Sequence, residues 1–183
     1  MQSRSIHHLK RRLAMVAGLA ALLVVVAAAG SSAASATRQV QVLDDCEPAS
    51  FNAAIGPGTC VKDGTTTFQE FIAQLMAQGR APAWRFAPGQ LKLDAGGSLQ
   101  AHNRGGEDHT FTEVANFGGG CIAVLNDLLG LTPVPECAGF PGGAFAATTV
   151  APGATVTTAP LPPGVHRYEC LIHPWMRTTV TVA

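Results

Sequence analysis

The sequence has no basic stripe, no internal repeat and no long disordered tract. Without a stripe of clustered Lys and Arg, nucleic acid is excluded as an expected partner. Without a repeat, the chain reads as one domain rather than an array. Acids are missing from residues 1–36, which hold Arg4, Lys10, Arg11 and Arg12. Beyond residue 36 stand twelve acids and eight bases, a net charge of −4.

The uncharged run "LAMVAGLAALLVVVAAAG" (13–30) follows the basic start, and "SSAASA" ends in Ala34-Ser35-Ala36. A basic start, an apolar middle and an Ala-x-Ala site describe a secretory signal peptide, with cleavage expected after Ala36. The rival reading is an uncleaved anchor, for which roughly 18–20 apolar residues suffice. Arg11-Arg12 is a weak twin-arginine signal, and "LDDC" (43–46) is a poor lipoprotein site because acids fill the positions that should be small. The expected location is therefore periplasmic or extracellular, with no stable membrane insertion once the signal is removed.

Five cysteines follow the signal: Cys46, Cys60, Cys121, Cys137 and Cys170. Exported chains meet an oxidising compartment, where cysteines pair, and an odd one needs a reason. Four cysteines allow three pairings. Cys46–Cys60 and Cys121–Cys137 are the simplest, since each closes a short loop rich in Gly or Pro. Cys170 is then free.

Residues 37–63 read as irregular. In "TTTFQEFIAQLMAQG", Phe68, Phe71, Ile72, Leu75 and Met76 recur at helical spacing. Thr67 with Glu70 forms a capping box, Gly79 stops the helix and Pro82 forbids its resumption. One short helix is expected, over about 67–78. From Ala83 the pattern turns to short strands: Trp84 alternates with Phe86 and Leu91 with Leu93. A turn at "DAGG", strands "SLQAHN" and "TFTEV", and a last strand "RTTVTV" (177–182) follow. Residues 118–146 read as a Gly- and Pro-rich insertion pinned by a disulfide, with a short helix in "CIAVLNDLLGL". Short strands at regular spacing indicate an all-β sandwich. Three segments are expected: a signal peptide at 1–36, an N-terminal extension with the helix at 37–82, and the strand-rich domain at 83–183.

The chemistry gathers in "YECLIHPWMR" (168–177), where Cys170, His173 and Met176 are spaced C-x-x-H-x-x-M. A thiolate, an imidazole and a thioether suit copper, whose blue sites use His₂Cys with a weak axial Met. Zinc has little use for a thioether. The set needs a second histidine. His109 is best placed, at the opening of a strand end after "RGGED". His166 shares a face with Cys170 but sits about 13 Å up the strand, and His102 reads as a surface or satisfied histidine. Singly, Cys170 reads as a buried thiol, Met176 as core and His173 as a turn residue. Their joint occurrence with His109 and an unpaired cysteine favours the metal.

On "FAPGQLKLDAGGSLQAHNRGGEDHTFTEV" (86–114) and "GVHRYECLIHPWMRTTVTV" (164–182), the chain resembles the cupredoxins, small type 1 blue-copper proteins, and most the amicyanin/plastocyanin branch. The resemblance covers about 83–117 and 147–183. It implies a Greek-key β-sandwich and one copper ion held by His109, Cys170, His173 and Met176, with Tyr168 also matching. Many members follow the first histidine with Asn, which braces the ligand loop. Thr110 stands there instead, implying a weaker brace. In the family the edge of the second histidine is the electron port. Leu171, Pro174 and Trp175 around His173 would form an exposed apolar docking patch, unless Trp175 packs inward.

The expected function is single-electron transfer between exported redox partners, by a monomer that is not an enzyme. Cys170 lacks the flanking histidines of a multicopper oxidase, having Glu169 and Leu171 instead, and its loop lacks the second cysteine of a binuclear centre. The alternative is copper storage or delivery, or a non-redox binding module on the same fold. A delivery protein usually shows an exposed Met/His cluster, and none stands here.

Overall fold

The computed structural model describes residues 36–183. The signal segment, including its cleavage site, lies outside the described residues except for Ala36. Among the described residues, ten strands form two four-stranded sheets and one two-stranded ladder. The first sheet has the order β2-β1-β4-β8, from β1 (Thr37–Leu43), β2 (Arg85–Ala87), β4 (Ser98–Asn103) and β8 (Thr155–Thr157). The second has the order β3-β10-β9-β6, from β3 (Gln90–Leu93), β6 (Thr112–Glu113), β9 (Gly164–Glu169) and β10 (Arg177–Val182). The ladder joins β5 (His109–Thr110) to β7 (Thr149–Val150). Alternation places Val40, Val42, Leu99 and Ala101 of the first sheet in one buried cluster with Leu91, Leu93, Val180 and Val182 of the second. Side chains of period two pointing to one face are what lets two sheets share a core.

Segment 37–63, expected to be irregular, is ordered. β1 carries the short alternation Val40, Val42 and lies between β2, antiparallel, and β4, parallel. It is an inner strand of the first sheet, so the boundary drawn at residue 83 cuts through that sheet. A helix, α1 (Pro48–Ile55), follows. Its cap is Glu47, whose carboxylate accepts from the N–H groups of Ala49 and Ser50, with Pro at the first turn. Proline is suited there because that N–H has no partner within the helix.

α2 (Phe68–Gln78) has the Thr67/Glu70 capping box and ends at Gly79, whose φ of 66° is left-handed. Phe71 and Leu75 are buried, whereas Met76 is 72% exposed. At about 100° per residue Met76 stands roughly 140° from Phe71, outside the stripe that faces the core. The single expected N-terminal helix is thus accompanied by α1. Two more helices, α3 (Ala123–Leu129) and α4 (Gly143–Ala147), flank a 3-10 turn at Pro135–Cys137 in the insertion. Disulfides join Cys46 to Cys60 and Cys121 to Cys137, and Cys170 is free and buried.

Candidate metal centre

The register of β9 assembles the site. β9 pairs antiparallel with β6, Thr112 opposite Glu169, and with β10, Arg177 opposite Glu169. Residues 170–176 are therefore the loop between two neighbouring strands, beside the chain leaving His109. The loop is closed by Cys170 N–H to the Met176 carbonyl (3.1 Å) and Met176 N–H to the His173 carbonyl (2.8 Å). Thr110 braces it from across: its hydroxyl accepts from Leu171 N–H at 2.7 Å, and its own N–H points at Cys170 Sγ at 3.4 Å. Thr110, expected to brace more weakly than Asn, thus accepts one hydrogen bond from the ligand loop through its hydroxyl.

His109, Cys170 and His173 converge. Cys170 Sγ lies 3.7 Å from His109 Nδ1 and 4.0 Å from His173 Nδ1, and the two Nδ1 atoms are 3.3 Å apart. Lengths known for zinc, about 2.0–2.1 Å to nitrogen and about 2.3 Å to sulfur, put a trigonal ion at the centre of edges of ~3.5 and ~3.8 Å. The donor triangle fits an ion of that size. Met176 is fully buried in the same core cluster as Cys170. His102 and His166 are engaged elsewhere: His102 Nδ1 with Thr155 Oγ1 (2.9 Å), and His166 with Glu113 (2.6 Å) and the Pro162 carbonyl (2.9 Å). Tyr168 stacks on Phe111 at 4.4 Å, and its hydroxyl donates to Glu113.

Two carboxylates missed in the sequence stand behind the histidines. Asp44 Oδ2 accepts from His109 Nε2 at 2.8 Å, and Glu107 Oε2 lies 3.9 Å from His173 Nε2. Glu107 also accepts from the Trp84 indole N–H. Burial raises the Glu107 pKa, partly offset by His173 and Trp84. Burial also opposes ionisation of Asp44, yet His109 and the N–H groups of Gly106 and Glu107 outweigh it and hold the carboxyl below its usual range. For His109, burial works against charge, but hydrogen bonds to Asp44 and Cys170 lift its pKa to about 9. The same histidines, against the cost of burial, bring the Cys170 thiol well below its ordinary value. These shifts favour a thiolate at Cys170 beside a charged His109, which would release a proton on binding a cation. Next to Cys170, burial raises Glu169 to about 7 despite its ion pair with Arg177.

The surface around His173 differs from the expected patch. Leu171 is fully buried against Val114 and Val134. Its carbonyl accepts from Cys121 N–H at 2.6 Å, so the insertion covers it. Pro174 is buried as well. Trp175 is half-buried, donates to the Ala81 carbonyl at 3.2 Å and packs on His173 at 5.4 Å. His173 itself is 4% exposed. It lines an apolar groove of about 580 Å³ walled by Phe51, Phe68, Phe71, Leu125 and Leu128, with Glu107 beside it.

The class that these sheets and this loop resemble is the cupredoxins, and solved cupredoxins are similar to the chain. A purple cupredoxin from Nitrosopumilus maritimus is 14% identical, with 80% of this chain and 99% of that one covered and a TM-score of 0.44. The oxidised plastocyanin of Dryopteris crassirhizoma is 14% identical over 79% of this chain and 99% of its own, with a TM-score of 0.38. An amicyanin mutant in its Cu(I) form is 17% identical over 54% of this chain and 73% of its own, with a TM-score of 0.35. No family model matches the chain, and no curated protein does.

Proposed function

We propose that the protein is an exported single-electron carrier on a Greek-key sandwich, with one type 1 copper ion held by His109, Cys170, His173 and Met176. The observation that carries this reading is the buried triangle of two Nδ1 atoms and one thiolate sulfur, closed by a loop that also bears Met176. When bound, copper would supply a one-electron couple that three strong ligands and one weak one can hold in both oxidation states. The chain's own residues do the rest. The β9–β10 loop and the Thr110 brace fix the ligands before metal arrives, so little need move on reduction. Burial of Cys170 and Met176 excludes water. His173 faces the apolar groove, which we take as the side of electron entry from a redox protein partner, in place of a patch formed by Leu171 and Pro174. No ligand position is left over for a substrate, so the protein is proposed not to be an enzyme. Export is in keeping with the two disulfides. Among the described residues, no helix is long and apolar enough to cross a membrane.

Cys170→Ser tests the ligand assignment. The variant should fold, since the hydroxyl is nearly isosteric, and should lose the intense thiolate-to-copper absorption. Retention of that band in the variant would refute it. Repeated reduction and reoxidation then separates carrier from store: a carrier keeps its copper through the cycles, and a delivery protein releases it to a Cu(I) chelator.

A further inference from the structure

Segment 37–82 lies outside the two stretches that carry the copper-protein resemblance, yet one of its side chains reaches the centre. Asp44 follows β1 directly, and its side chain is 1% exposed. Its Oδ2 receives His109 Nε2 at 2.8 Å and Glu107 N–H at 3.1 Å. Its Oδ1 receives Gly106 N–H at 2.9 Å and Cys46 N–H at 3.4 Å. Every hydrogen-bond partner of the carboxylate is a donor. The seat is built to fit: a Cβ on Gly105 would lie 1.7 Å from Asp44 Oδ2, and one on Gly106 would lie 2.9 Å from Cys46 Sγ. The Cys46–Cys60 disulfide and the bond from Val61 N–H to the Gly106 carbonyl (2.9 Å) hold the two loops together.

An ionised carboxylate only accepts, so the proton it shares stays on His109 Nε2, and Nδ1 is the ring nitrogen that would lose its proton to a metal. Nδ1 is the atom turned toward Cys170 and His173. Hydrogen bonding of the far ring nitrogen to a carboxylate fixes a metal-binding histidine's tautomer and orientation and raises its basicity. We propose that Asp44 is a positioning residue of the metal centre, through which the N-terminal segment sets how tightly His109 holds the ion. This rests on the copper reading above. Glu107 has no equivalent role at His173, because 3.9 Å is too long for a hydrogen bond.

The test is Asp44→Asn. Its amide NH₂ must face donors whichever way it turns: in place of Oδ2 it faces His109 Nε2 and Glu107 N–H, and in place of Oδ1 it faces Gly106 and Cys46 N–H. Cu(II) affinity is measured by chelator competition for the wild type and the variant, with the copper EPR spectrum of each. Loss of such a partner typically costs about 10- to 100-fold in metal affinity, and that loss is expected here together with altered nitrogen hyperfine structure. A purely structural Asp44 would lower the melting temperature of the metal-free protein and leave affinity and EPR spectrum as they were, which overturns the proposal. Should the variant not fold, nitrogen NMR of the wild-type Cu(I) protein decides. A slowly exchanging proton on His109 Nε2 supports the assignment, and a proton on Nδ1 overturns it. A wild type that binds no copper removes the copper reading itself, a result distinct from wild type and variant binding equally.

Discussion

At the scale of single residues, the site was legible where chemistry is local and hidden where it is not. Cys170, His173 and Met176 stand within seven positions, and their residue types alone speak of a soft metal. His109 could be placed because it opens a strand end. Asp44 and Glu107 could not, because a carboxylate in "LDDC" or "RGGED" looks like any turn acid until folding buries it. Gly105 has the same hidden weight. Gly105→Ala should destabilise the protein by about 1–3 kcal/mol, the usual cost of forcing an atom into a filled space, read as a lower urea midpoint. Copper affinity should fall with it, since the atom displaced is Asp44 Oδ2. An alanine variant as stable as the wild type would mean that the Asp44 seat is looser than its distances imply.

At the scale of elements, periodicity and capping made α2 readable, and turn chemistry hid β1 and α1. β1 offers only two alternating valines before a run of acids and a cysteine. α1 is capped by a glutamate, outside the usual Ser, Thr, Asp and Asn signals. The Cys46–Cys60 bridge spans α1, and removing it as a double Ala variant should cost about 3 kcal/mol, the chain-entropy value for a loop of roughly 15 residues. Chemical denaturation of the metal-free protein measures it, and an unchanged midpoint would contradict the expected constraint. β9 and β6 are also joined by His166 and Glu113. Burial opposes charge on His166, but Glu113 and the Pro162 carbonyl together outweigh it and raise its pKa. A pKa raised by folding gives stability that is full below the unfolded value, about 6.5, and is lost as pH climbs through the folded one. His166→Gln should therefore lower the melting temperature more at about pH 5.5 than at about pH 9. An equal loss at both would show that the ion pair contributes nothing.

At the scale of the whole molecule, the N-terminal helices and the insertion are built into the strand-rich domain rather than appended to it. Phe71 of α2 meets Phe51, Trp84, His173 and Trp175, with ring centroids between 4.7 and 6.1 Å. The sequence marked Phe71 as core but could not show that this core lies over His173, since that contact joins residues far apart in the chain. Phe71→Ala should cost about 3–5 kcal/mol and admit water to the His173 edge. Unchanged stability and unchanged solvent access there would separate the helices from the metal site.

The functional expectations rest on the identity of the ion. Titration of the purified protein with Cu(II), followed in the visible range, reads it directly. An intense thiolate-to-copper band that grows linearly and saturates at about one equivalent, as a single His₂Cys site requires, is expected. A copper-loaded protein that stays colourless would contradict a type 1 centre at His109, Cys170, His173 and Met176.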